Sequence, residues 1–184
     1  MDKLLLNWGE VQGMTAQLAR DISISNWRPD YVVGITRGGL IPAVLLSQYF
    51  NVPMHTLRVS LRDAGDNGCE SNLWMADDAF GYVPSDEQDV YKCRWDTSRR
   101  KNILIVDDIN DTGATFNWIR EDWQGSCLPD QTAGWESVWK NNVKFAVLVE
   151  NLASTATNDY SVLEVNKAEH DVWIEFPWEE WWGK

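Results

Sequence analysis

The segment Ile103 to Thr115, ILIVDDINDTGAT, sets four aliphatic residues, a pair of carboxylates and a hydroxyl-rich glycine turn in immediate succession. Asp107 and Asp108 can accept hydrogen bonds from vicinal sugar hydroxyls, while Thr112, Thr115 and the amides around Gly113 and Ala114 can donate to a phosphate monoester. One short loop could therefore grip a ribose 5-phosphate at both ends. Gly113 has no Cβ, so backbone can approach the phosphate closely and adopt a positive φ. Asp111 stands between the two groups, where a carboxylate can act as a general base or stabilise positive charge developing on the sugar ring.

The same residue types also build an Asx-type turn and a helix cap for purely local reasons. Three aspartates within five residues repel one another unless a cation, sugar hydroxyls or donors occupy the site, which favours function. A second candidate is the tip of Val32 to Ile35, where Thr36, Arg37, Gly38 and Gly39 are too flexible to continue a strand and leave Arg37 with free amides. Arginine binds phosphate oxygens through two parallel N–H bonds, as a diphosphate requires. A strand-to-helix turn with a solvated arginine is the plain alternative.

These residues need elements to hold them. Ile103 to Val106 has no polar partner and suits a strand buried on both faces of a parallel sheet, with the aspartates at its carboxyl end and a helix following. Val11, Met14, Leu18 and Ile22 recur at helical spacing and predict an amphipathic helix ending near Ser25. Tyr31 to Ile35, Leu40 to Phe50 and Met54 to Val59 read as a right-handed strand-helix-strand unit. Phe116 to Trp123 is expected to be helical, with strands at Phe145 to Val149, Tyr160 to Val165 and Val172 to Phe176, the last ended by Pro177. Residues 60–100 are rich in Asp, Gly, Ser and Asn without clear period, and read as a lid or an insertion. Gly125 to Asn142 reads as a second insertion. The expected class is α/β, with a doubly wound, mainly parallel sheet in one domain spanning residues 1–184.

Composition narrows the partners. The chain has 184 residues, 44% hydrophobic content and a net charge of −12, which suits one globular domain and argues against a nucleic-acid partner. The acidity also suggests that an anionic substrate arrives with Mg²⁺, held at Asp107 and Asp108. No apolar run reaches 18 residues and the apolar stretch of MDKLLLN is too short for a signal peptide, so no membrane partner and a cytoplasmic location are expected. Cys69, Cys93 and Cys127 lack C-x-x-C spacing and read as free thiols. His55 and His170 read as structural or solvent-facing, and Arg99-Arg100-Lys101 as a solvated lead-in to the strand. The cluster of Trp178, Trp181 and Trp182 reads as a packing or oligomer surface.

Residues 103–115 resemble the phosphoribosyl-diphosphate (PRPP) binding motif of type I phosphoribosyltransferases, with two acidic residues after an apolar strand and then D-T-G-x-T. Tyr31 to Phe50, YVVGITRGGLIPAVLLSQYF, resembles the first strand, pyrophosphate loop and following helix of that family. Asp171 to Glu179, DVWIEFPWE, is similar to the base-binding segment of its xanthine-guanine branch, and the Trp8 to Ala19 opening also matches. The resemblance implies transfer of a ribosyl phosphate from Mg-PRPP to a purine-like nucleobase. Arg37, Gly38 and Gly39 would hold diphosphate, Asp107 and Asp108 the ribose and metal, Thr112, Gly113, Ala114 and Thr115 the 5′-phosphate, and Asp111 would assist at the base nitrogen.

By the same resemblance Trp173 would stack on the base, against a neighbour such as Ile109, and Ile174 would contact its edge through backbone. A non-proline cis peptide at Arg37-Gly38, a mobile hood over residues 60–100, base-binding elements over 151–184 and a homodimer or homotetramer are also implied. Two departures stand out. Where the family's 6-oxopurine enzymes place a lysine after the strand KFAVLVEN, this chain has Glu150 and Asn151, and Asn151 both donates and accepts, which weakens discrimination for an exocyclic oxygen. Ser60-Leu61-Arg62-Asp63 stands where a Ser-Tyr pair is frequent. A catalytically silent PRPP or nucleotide sensor is the alternative. An acidic phosphatase using Asp107 is weaker, because DxD spacing is absent.

Overall fold

The computed structural model describes residues 1–61, 68–84 and 95–181. Seven strands and five helices follow in the order β1 (Asp2–Leu5), α1 (Trp8–Ile24), β2 (Tyr31–Thr36), α2 (Leu40–Phe50), β3 (Met54–Arg58), α3 (Leu73–Phe80), β4 (Ile103–Asn110), α4 (Ala114–Ser126), α5 (Thr132–Asn141), β5 (Val143–Asn151), β6 (Leu163–Val165) and β7 (Val172–Glu175). The main sheet has five parallel strands in the order β3-β2-β4-β5-β6. β1 and β7 form a separate parallel pair. Among the described residues no helix is long and apolar enough to cross a membrane.

The aliphatic run at the start of β4 explains the layering. Ile103 and Ile105 pack into one core cluster with α3, α4 and α5, while Leu104 and Val106 pack into another with α1 and α2. Alternate side chains of a strand leave opposite faces, so an all-apolar strand must be covered on both sides. α1 begins with a reciprocal cap: the Asn7 side chain accepts from the Glu10 amide at 2.9 Å and Glu10 accepts from the Asn7 amide at 2.8 Å. Its buried face carries Val11, Leu18 and Ile22, as the spacing predicts, together with Thr15 and Ala19, while Met14 is half-buried.

Chain order places the site. From β2 the chain steps outward to β3, then returns to add β4 on the other side of β2. Such a reversal opens a crevice beyond the carboxyl ends of the two central strands. The tips carrying Arg37 and Asp107-Asp108 meet there.

Several expectations are corrected. Residues 73–80 of the expected lid form α3, whose Met75, Ala76, Ala79 and Phe80 are buried in the core. Eight residues are too few for a helical period to stand out in so polar a stretch. Gly125 to Asn142 is no open insertion, since it ends α4 and forms α5, whose Trp135 and Val138 are fully buried. Trp135 stacks on Trp139 and donates from its indole N–H to the Cys127 carbonyl at 2.8 Å. Arg100 is more than a solvated lead-in: its Nε donates to the Phe80 carbonyl at 3.0 Å and its guanidinium covers the Phe80 ring. Tyr160 makes only an isolated bridge with Ala146, so β6 starts at Leu163. His55 packs edge-on against Tyr31 and Trp74. Trp178 stacks on Phe176 while Trp181 is exposed. Cys93, Trp182, Arg62 and Asp63 lie outside the described residues.

Candidate functional site

A cleft of about 270 Å³ opens at the carboxyl end of β4, lined by Asp107 to Phe116 from that strand and the turn after it. Val59, Ser60 and Leu61 complete the lining together with Lys167, Trp173, Ile174, Phe176 and Glu179. β4 runs to Asn110, four residues beyond the aliphatic stretch, because Asp107, Ile109 and Asn110 continue in register with Val147, Val149 and Glu150 of β5. The acidic pair is therefore set in a rigid strand. The Asp107 carboxylate accepts from the Asp108 amide at 2.9 Å, and that of Asp108 from the Ile109 amide at 2.8 Å.

The turn after β4 is built for close approach. Gly113 has φ +88°, and a Cβ there would run into the Ala156 amide and the Thr155 and Ser154 hydroxyls. It supplies no side-chain cap to α4. The first amides of a helix have no carbonyl one turn back to bind, so they stay available to an anion. The loop after β5 braces this turn from behind: Thr155 donates to the Thr112 carbonyl from its amide at 3.1 Å and from its hydroxyl at 2.8 Å. Asn110 Nδ2 donates to the Ala156 carbonyl at 2.7 Å. Neither Ser154 nor Thr155 carries a signal in the sequence.

The expected diphosphate loop sits alongside. A Cβ on Gly38 would collide with the Asp108 carboxylate, and one on Gly39 with the Val106 and Ile35 carbonyls, so the two loops pass in direct contact. Arg37 is exposed at the tip. The cis peptide lies at Thr36-Arg37, one bond before the position expected at Arg37-Gly38.

Trp173 and Ile174 line the same cleft as the acidic strand end and Ile109. Their strand is held from an unforeseen quarter: β1 pairs with β7 in parallel, setting Lys3 opposite Trp173 and Leu4 opposite Ile174. Lys3 reinforces this with an ion pair to Glu175 at 3.0 Å.

Asn151, expected at the edge of a bound base, is turned into the protein instead. It is buried, and its amide is in use on both sides. Nδ2 donates to the Asp111 carbonyl at 2.9 Å and to the Asp111 carboxylate at 3.3 Å. Oδ1 accepts from the amides of Ala153 and Lys167 at 3.2 and 3.0 Å. The strand end it occupies is pinned to β4 by the β-ladder, which carries the side chain behind the Asp111 loop. What enters the cleft is Lys167, whose Nζ lies 3.0 Å from the Asp111 carboxylate and 5.9 Å from the centre of the Trp173 ring. No sequence pattern singles it out.

The phosphoribosyl transferase domain family matches residues 5–182 of the chain. Xanthine phosphoribosyltransferase 1 of Saccharomyces cerevisiae is 26% identical over 132 aligned positions, covering 64% of this chain and 58% of that protein. The hypoxanthine-guanine phosphoribosyltransferase of Schizosaccharomyces pombe is 26% identical over 197 aligned positions, covering 96% and 89%. Among solved structures, the purine phosphoribosyltransferase of Pyrococcus horikoshii superposes with a TM-score of 0.63 at 25% identity, covering 100% of this chain and 99% of that one.

Proposed function

Because this chain belongs to the phosphoribosyl transferase domain family, we propose that it converts PRPP and a purine-like base, with guanine, xanthine and hypoxanthine the leading candidates, to a nucleoside 5′-monophosphate and diphosphate in purine salvage. One observation carries the reading: the strand end bearing Asp107, Asp108 and Asp111, the Thr112–Thr115 turn and the Trp173–Ile174 strand all line a single cleft. Its parts are the parts of the reaction. The Thr112–Thr115 turn and the first amides of α4 receive the 5′-phosphate, and Asp107 and Asp108 the ribose hydroxyls. Arg37 and the Gly38-Gly39 backbone take the diphosphate, and Trp173 stacks on the base opposite Ile109.

The bond from C1 of the ribose to the diphosphate oxygen breaks with its electron pair on the leaving group, and a base nitrogen forms the new bond to C1. Asp111 takes the proton that this nitrogen releases. The ring passes through a positively charged state, which the surrounding carboxylates stabilise while Arg37 meets the departing negative charge.

Among the described residues no cluster of three or more His, Cys, Asp or Glu side chains is arranged as a metal cage. Mg²⁺ is commonly held by one or two carboxylates with substrate phosphates and water, and the hard oxygens of Asp107 and Asp108 fit that pattern. When bound it would neutralise diphosphate charge. The reading carries with it a cytoplasmic homodimer or homotetramer.

Diphosphate release with Mg-PRPP and a panel of purine and pyrimidine bases tests the proposal: saturable product from a purine is expected. A non-catalytic nucleotide sensor is the second reading, favoured by the engagement of the Asp111 carboxylate with Lys167 and Asn151. Tight nucleotide binding without product from any base would select it.

A further inference from the structure

We propose that Lys167 is the residue that reads the base, donating a hydrogen bond to an exocyclic oxygen and so restricting the site to oxo- rather than aminopurines. This rests on the phosphoribosyl-transfer reading and gives its base a chemical class.

Among the described side chains that line the cleft, Lys167 is the only cation. The other charged groups there, Asp107, Asp108, Asp111 and Glu179, are carboxylates that accept when ionised. Its ammonium sits between two groups that define where a base must lie. One is Trp173, the apolar platform, whose ring centre is 5.9 Å away. That is at the outer limit of roughly 6 Å for attraction between an ammonium and a ring face, so the platform does not fix the ammonium. The other is Asp111, at 3.0 Å, which does. An ammonium has three donors, and the Asp111 contact uses one.

The placement is built rather than incidental. The Lys167 amide donates to Asn151 Oδ1 at 3.0 Å, and Nδ2 of the same buried side chain donates to the Asp111 carbonyl at 2.9 Å. One amide group thus sets the spacing between the two ends of the ion pair. The Lys167 side chain is only 19% exposed, unlike a lysine that sways in solvent. Because an ammonium cannot accept, a base edge that meets it must present an acceptor. An exocyclic carbonyl does so, whereas an amino group would bring N–H against N–H. The chain therefore lacks a lysine at the end of β5 and brings one to the cleft from beyond β6.

The test compares the parent with Lys167→Met and Lys167→Arg in the full chain, using hypoxanthine and adenine with Mg-PRPP. The parent is expected to favour hypoxanthine, and Lys167→Met to lower the ratio of kcat/KM for hypoxanthine to that for adenine about 10- to 100-fold, the scale of a hydrogen bond to a charged group. Lys167→Arg, which keeps the charge and guards against misfolding, should retain most of the preference. A parent indifferent between the two bases, or a Lys167→Met variant that keeps the parent ratio, overturns the inference. If the parent forms product from neither base, binding of IMP against AMP decides it separately. Preference for IMP that vanishes in Lys167→Met sustains the recognition role though the reaction assigned here fails, and equal binding by the parent or an undiminished preference in Lys167→Met overturns it.

Discussion

Asn151 ties the end of β5 to the Asp111 loop, its Nδ2 lying 2.9 Å from the Asp111 carbonyl while its Oδ1 receives the amides of Ala153 and Lys167. Asn151→Ala would leave these groups without their partner in a buried setting, at about 1 to 3 kcal/mol for each one left unsatisfied. The urea midpoint of the variant should fall markedly. A midpoint equal to that of the parent would mean the clamp contributes nothing to the fold.

Asp111→Asn removes the proposed proton acceptor but keeps the side-chain shape. Turnover is expected to drop about 10²-fold or more, the usual contribution of general base catalysis, while PRPP affinity changes far less. Steady-state kinetics with calorimetric binding separates the two. Equal rates for variant and parent would remove Asp111 from the chemistry.

Gly113→Ala forces a Cβ into the Ser154–Ala156 loop and a side chain onto a backbone at φ +88°. A residue held at positive φ costs on the order of 1 to 3 kcal/mol. Lower thermal stability is expected, together with weaker PRPP binding if the same turn receives the phosphate as proposed. Unchanged values for both would show that the turn relaxes freely.

Arg37→Lys exchanges a planar fork for a point charge at an exposed strand tip. The KM for PRPP should rise about tenfold, with folding stability within about 0.5 kcal/mol of the parent. Kinetics and a urea titration read these together. A rise in the KM for the base alone would place Arg37 at the wrong end of the cleft.

Burial and a hydrogen bond with Asp77 push the Cys127 thiol up to about 12. A folded value above that of the unfolded chain, about 8.5, means that the thiol contributes stability fully below that pH. The contribution is lost as pH rises toward about 12. The urea midpoint should therefore fall between pH 8 and pH 10 more steeply in the parent than in Cys127→Ala. Parallel curves would refute the assignment.

Local chemistry was legible where one stretch of chain contained the whole device. The all-apolar start of β4 announced burial on both faces, and Ile103 and Leu104 do enter different cores. The D-T-G-x-T turn announced a glycine at positive φ and a helix start, and Gly113 and α4 supply them. α2 also lies where its apolar run predicts. α3 and α5 were hidden because short helices in polar segments show little period, and their fit depends on neighbours such as Phe80 against Trp135. β1 was hidden because a strand of four exposed residues has meaning only through its partner, β7.

By itself the sequence determined the parallel α/β class, the glycine turn and the acidic strand end, since each is carried by neighbours in the chain whose types state their own geometry. Only the tertiary structure decided which side chain lines the cleft. Asn151, at the end of β5, is held against Asp111, and Lys167 arrives in the cleft from another loop. Residues far apart in sequence meet because two cores close around the sheet, and spacing along a chain contains no record of that closure.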